Sequence, residues 1–123
     1  MRAILINPVA KVVTEVEYNG NYTQIYEFIH CSCFCTAGNL PNGDTMFVDD
    51  EGLFDQKYGF FKWKGYPTPL VGYGLLMGGD RAGETCEVKS KIEDLDVEFG
   101  VVGRIGKNIA WMTDVGHLSI IPE

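Results

Sequence analysis

The apolar positions of this chain fall mostly in short runs and alternations, broken by glycine, proline and asparagine turns, which is the pattern of strands. Residues 3–6 read as a short buried strand, stopped by the turn pair Asn7-Pro8. Residues 12–18 alternate, with Val12, Thr14 and Val16 opposing Val13, Glu15 and Glu17, and predict a second strand hairpinned with the first. Beyond Asn19-Gly20 the period changes. Tyr22, Ile25, Tyr26 and Ile29 stand at i, i+3, i+4 and i+7, predicting a helix over 21–30 that Asn21 can cap. Residues 32–40 look extended, Pro41-Asn42-Gly43-Asp44 is a turn, and residues 45–48 form another strand.

The second half repeats this logic. Residues 58–63 are dense in aromatics, and Gly65-Tyr66-Pro67-Thr68-Pro69 is irregular because each proline lacks a donor and restricts the residue before it. Residues 70–77 return as a strand, and 85–88 are extended. Ser90-Lys91-Ile92-Glu93 has capping-box spacing, and Ile92, Leu95 and Phe99 follow along one face, which predicts a second helix over 91–99. Residues 101–102, 109–112 and 118–121 read as two or three further strands. The expected fold is α+β: a mainly antiparallel, twisted sheet of six to eight strands with two helices, in a single domain spanning 1–123.

Composition bounds the function. Hydrophobic residues at 46% and charged residues at 22% are those of a globular chain, and the 15 glycines favour turns and close backbone approaches over long helices. A net charge of −7 disfavours direct nucleic-acid binding and attraction to anionic membrane. It serves solubility, or it offers an acidic surface to a basic partner. No apolar run approaches the roughly 20 residues of a membrane helix, and the start is too short in its apolar part for a secretory signal. A cytoplasmic location is expected, with Cys31, Cys33, Cys35 and Cys86 as thiols.

No catalytic set emerges. The two histidines, His30 and His117, lack a suitably placed nucleophile, since the neighbouring Cys31 does not face His30 on a helix or strand. Cys31, Cys33 and Cys35 share a face if their stretch is a strand, yet their spacing lacks the paired knuckles of a zinc site. Gly74 and Gly79 have Walker spacing, but Asp80 and Arg81 replace the lysine and hydroxyl residue. Gly72-Tyr73-Gly74 begins a dinucleotide fingerprint that Met77 breaks. Asp49, Asp50, Glu51 and Asp55 do not match a calcium loop. No cofactor, metal or enzymatic activity is expected.

The strongest positive feature is the aromatic and basic run over 57–66. Three of the ten basic residues lie there, Lys57, Lys62 and Lys64, interleaved with five aromatics. Aromatic faces stack on bases and cations hold phosphate. The candidate ligand-binding residues are Phe61, Trp63 and Tyr66 for a base, with Lys62, Lys64 and Arg81 for phosphate. A plain strand is the competing reading, with Phe61 and Trp63 facing the core and Lys62 and Lys64 facing water.

Three stretches together carry a family likeness: 1–8 running into Val16-Glu17-Tyr18, 42–53, and 60–78 with its Gly65-Tyr66-Pro67-Thr68-Pro69-Leu70 segment. They resemble the uncharacterised family known as domain of unknown function 3846, over about residues 1–99. Val48-Asp49-Asp50-Glu51-Gly52 and Gly65-Tyr66-Pro67-Thr68-Pro69-Leu70 are the more specific parts of the likeness; the cysteine run and the tail after Phe99 lie outside it. The resemblance brings no activity or catalytic residues, but it implies a phage or mobile-element source and, by analogy, a role against host defence.

Two functions are then expected in order. The first is a non-enzymatic accessory protein that binds and sequesters a small nucleotide signal through Phe61, Lys62, Trp63, Lys64, Tyr66 and Arg81. The second is an acidic inhibitor or nucleic-acid mimic that meets a host defence protein through Asp49, Asp50, Glu51, Glu93, Asp94, Asp96 and Glu98. Glycine-rich edges and small size are compatible with a homo-oligomer.

Overall fold

Asn7-Pro8 turns the chain sharply, and the first two strands pair as their alternation requires. β1 (Arg2–Asn7) and β2 (Val12–Glu17) are antiparallel, from Arg2 opposite Glu17 to Asn7 opposite Val12. The Asn7 carboxamide oxygen accepts the Val9 and Ala10 N–H groups, both at 3.0 Å, which closes the turn. The structure is a computed structural model that describes residues 1–50, 59–105, 108–113 and 118–121.

Sequentially distant strands complete this sheet. β7 (Gly74–Gly79) lies at its centre between β1 and β4 (Thr45–Asp49), and β3 (Phe34–Asn39) pairs outside β4. The short β8 (Thr85–Cys86) joins β7. The order is β2-β1-β7-β4-β3, every neighbour antiparallel. β7 is covered on both faces, which is why Leu75, Leu76 and Met77 form one continuous apolar run.

One face carries the helix. α1 (Thr23–Ile29) buries Ile25 and Ile29 against Ala3, Tyr18, Tyr73, Leu75 and Met77. The Asn21 side chain accepts the Thr23 N–H at 3.1 Å, and His30 ends the helix in a left-handed conformation. No helix among the described residues is long and apolar enough to cross a membrane.

The opposite face carries a second sheet. β5 (Phe60–Lys62), β6 (Leu70–Val71), β9 (Glu98–Ile105), β10 (Asn108–Thr113) and β11 (Leu118–Ile121) run in the order β11-β10-β9-β5-β6, again antiparallel. Phe61 and Trp63 project from it into the first sheet and pack among Ile4, Ile6, Met46, Val48 and Leu76. The mainly antiparallel architecture agrees with expectation, but it comprises two sheets and eleven strands among the described residues, with one helix.

The second expected helix, over 91–99, does not form. Residues Ile92–Asp94 make a single 3-10 turn, Asp96 takes a positive φ of 52°, and β9 starts at Glu98. The competing period explains it. Leu95, Val97 and Phe99 alternate and all pack on the inter-sheet core, while Phe99 and Glu98 pair with Phe61 and Lys62. The loop before this turn is fixed by Asp44, whose fully buried carboxylate accepts the Ser90 N–H at 2.7 Å and the Lys89 N–H at 3.0 Å. Arg2 clamps the same loop by donating to the carbonyls of Val88 and Ser90.

Gly74 makes the inter-sheet contact possible. It stands in one cross-sheet row between Ile6 and Val48, and a β-carbon there would lie 2.5 Å from Phe61 Cζ and 2.9 Å from Met46 Sδ. The end of the phenyl ring occupies the space a side chain would take. Gly74→Ala is expected to cost about 1–3 kcal/mol by overpacking, read from the urea midpoint with the denaturant slope unchanged. A loss below about 0.5 kcal/mol would show that the ring does not fill that gap.

Candidate binding cleft

Trp63 organises the surface beside the inter-sheet core. Its ring covers Gly65, and its indole N–H donates to the Ala37 carbonyl at 3.2 Å. Ala37 lies where β3 is irregular: pairing with β4 is regular from Phe34 to Thr36 and shifts before Asn39. Gly38, at φ 91°, brings this irregular stretch directly against the Gly65 carbonyl, where any side chain would collide. The irregular 65–69 segment is thereby held beside the outer edge of the first sheet.

A depression of about 250 Å³ opens between them. Its walls are residues 35–37 of β3, residues 48–50 at the end of β4, and Tyr66, Thr68, Pro69, Leu70 and Val71. Tyr66 is 36% exposed, so its ring remains available at the rim. Residues 48–50 and the segment from Tyr66 to Val71, far apart in the chain, thus contribute to one cleft.

The two aspartates set its electrostatics. Burial pushes the Cys35 thiol up from its ordinary value, helped by its hydrogen bond to Asp50 and by the charges of Asp50 and Asp49. Burial likewise pushes Cys31 up to about 11, with the Asp49 charge adding to it. A thiol held protonated is a poor nucleophile and a poor metal ligand. The cysteines do not share one face either, because β3 begins only at Phe34. Cys31 packs on the helix side of the sheet and Cys35 on the inter-sheet side.

The six residues expected to bind a nucleotide are not brought together. Phe61 and Trp63 are 0% and 1% exposed and belong to the core, which corrects their assignment as stacking platforms: neither ring has an open face. Lys62 and Lys64 are exposed in a separate depression of about 540 Å³ beside Asp96, Val97 and Glu98. Arg81 lies in another, of about 450 Å³, with Asn42, Gly43, Asp80 and Lys89. Tyr66 alone reaches the acidic cleft. The alternation that sends rings inward and lysines outward is the plain strand reading of this segment.

The acidic candidates also divide. Asp49 and Asp50 line the cleft, while Glu93, Asp94, Asp96 and Glu98 lie around the 3-10 turn and the start of β9. Glu51, Asp55, Lys57, Tyr58 and His117 lie outside the described residues. Sequence reasoning missed Cys35, Thr36 and Pro69 as neighbours of Asp50. The only signal for this grouping was that the two more specific stretches of the family likeness each hold part of it.

With this geometry established, the chain belongs to the family described as Domain of unknown function (DUF3846), which matches residues 1–99. The match takes in the whole first sheet, α1, β5, β6 and the first residues of β9. The chain is similar to the uncharacterized protein y4iR of Sinorhizobium fredii, 37% identical over 60 residues. That alignment covers 49% of this chain and 37% of the other protein, so the chain spans little more than a third of its relative's length. No solved structure matches the chain.

The thiol chemistry has a direct readout. With a pKa of about 11, Cys31 is ionised to only about one part in a thousand at pH 8. Iodoacetamide should alkylate it on the order of 100-fold more slowly than free cysteine at that pH, with the rate climbing through pH 9–11, as followed by peptide mass spectrometry. Because the folded pKa is the higher one, stability from the protonated thiol is present below pH 9 and lost as pH rises through 11. Alkylation of Cys31 at the free-cysteine rate would contradict the half-buried, carboxylate-flanked setting.

Proposed function

We propose that this protein is a non-catalytic binding module, and that the cleft at 35–37, 48–50 and 66–71 receives a cationic group, the guanidinium or ammonium of an arginine or lysine on a partner protein. The observation that carries this reading is the meeting of Asp49, Asp50 and the open Tyr66 ring on one depression. Carboxylates attract a cation at close range, and an aromatic face adds about 0.5–2 kcal/mol according to how far the cation is desolvated. In the setting that the family resemblance implies, the target is a basic surface on a host defence protein.

Sequestration of a nucleotide is the second reading, and the geometry favours it less. Its base platform shrinks to Tyr66, and the carboxylates beside that ring repel phosphate. Lys62 and Lys64 line a different depression from Tyr66.

A fragment titration separates the two. N-acetyl-arginine amide, added to isotope-labelled protein, should shift the NMR resonances of residues 35–37, 49, 50 and 66 with about millimolar affinity, equivalent to about 4 kcal/mol. The response should weaken with salt and vanish in the Asp49→Asn/Asp50→Asn variant. Adenosine monophosphate should leave those resonances in place. The reverse outcome, with the nucleotide shifting Tyr66 and the arginine derivative shifting nothing, would refute the cation site.

A further inference from the structure

Resting on the cation-binding reading of the cleft, we infer that its partner is an extended segment that adds a strand to the free edge of β3, in the order apolar–cationic–apolar. β3 is the last strand of its sheet, with β4 as its one neighbour among the described residues. The direction of its unpaired groups follows from the register. The Asp50 N–H donates to the Cys33 carbonyl, and in an antiparallel ladder hydrogen-bonded pairs alternate with non-bonded ones. Cys35 opposite Val48 is therefore the next bonded pair, while Phe34 and Thr36 turn their N–H and C=O groups away from β4. Thr36 is exposed.

The two outer edges of this sheet differ in kind. β2 carries Glu15 and Glu17, and charge on an edge strand discourages further pairing. The open part of β3, residues 34–36, carries no charge, and only the irregularity before Asn39 ends it. A segment added there would gain backbone bonds at Phe34 and Thr36, the usual source of affinity in strand addition.

Side-chain alternation then fixes the chemistry of that segment. Residues opposite one another in paired strands point to the same face. Cys35 faces the inter-sheet side, where its thiol bonds to Asp50 and the cleft opens toward Tyr66. The partner residue opposite Cys35 accordingly points at Asp50, and charge complementarity requires a cation. Its two neighbours, opposite Phe34 and Thr36, point to the helix side. There the Phe34 ring lies 5.1 Å from Tyr26 and 5.7 Å from Phe47, an aromatic surface suited to apolar side chains.

The probe is a blocked peptide with Val-Arg-Val at its centre, compared with N-acetyl-arginine amide, a Val-Glu-Val peptide, and Val-Arg-Val N-methylated at both valines. The valine amides are those that face β3, so N-methylation removes strand pairing without altering the protein. Val-Arg-Val should bind at least about tenfold more tightly than the arginine amide and slow hydrogen exchange at the Phe34 and Thr36 amides. N-methylation should remove that gain, and the glutamate peptide should not bind. Equal affinities for the methylated and unmethylated peptides, with those amides still exchanging freely, would overturn strand addition while leaving the cation site intact. If neither the arginine amide nor any peptide shifts the cleft, the cation reading fails and this inference fails with it.

Discussion

Two rings pushed from one sheet against the other hold this molecule in its shape. Phe61 fills the space left by Gly74, and Trp63 lies over Gly65 with its indole N–H bonded to Ala37. Burying one such ring contributes about 2–3 kcal/mol from area alone, so the pair outweighs any exposed ion pair in the chain. The contact also sets geometry. It fixes β5 and β9 over the centre of the first sheet and brings 65–69 against the irregular stretch of β3. Without Trp63 in place, the two halves of the acidic cleft would have no reason to meet.

Local pattern carried the parts of the fold whose partners are close in sequence. The β1–β2 hairpin, α1 and the 41–44 turn were all legible, because each is decided within a few residues. The region 91–99 was not. Ile92, Leu95 and Phe99 satisfy a helical period while Leu95, Val97 and Phe99 satisfy a strand period, and pairing with β5 decides between them. That partner lies more than thirty residues away. The division into two sheets was hidden for the same reason, since an alternating strand does not declare which sheet it joins.

The site was legible in one respect and misleading in another. Alternation at Phe61, Lys62, Trp63 and Lys64 already contained the right geometry, but density of aromatic and basic residues pointed to a ligand platform. What decided it was the small volume at Gly74, Gly38 and Gly65, a property of packed tertiary structure. Of the glycines tested against phosphate loops, Gly74 proves to be a packing position, while Gly72 takes a positive φ of 93° with open space beside it. The cleft assembles residues 35–37, 48–50 and 66–71, and the β3–β4 pairing, the Trp63–Ala37 bond and the close approach of Gly38 to Gly65 make them neighbours. Its aspartates add to the burial that keeps nearby thiols protonated, and in the proposed reading they draw a cation to the open aromatic rim.

Everything above requires Trp63 to be core and not a recognition surface, and its fluorescence reports this most directly. In a Trp111→Phe variant, Trp63 is the one remaining tryptophan. Its emission should be blue-shifted, resist quenching by acrylamide, and stay unchanged when the cleft is saturated with N-acetyl-arginine amide. A red-shifted emission that acrylamide quenches as readily as free tryptophan would contradict the account, because a ring open to water could neither join the sheets nor hold the cleft together.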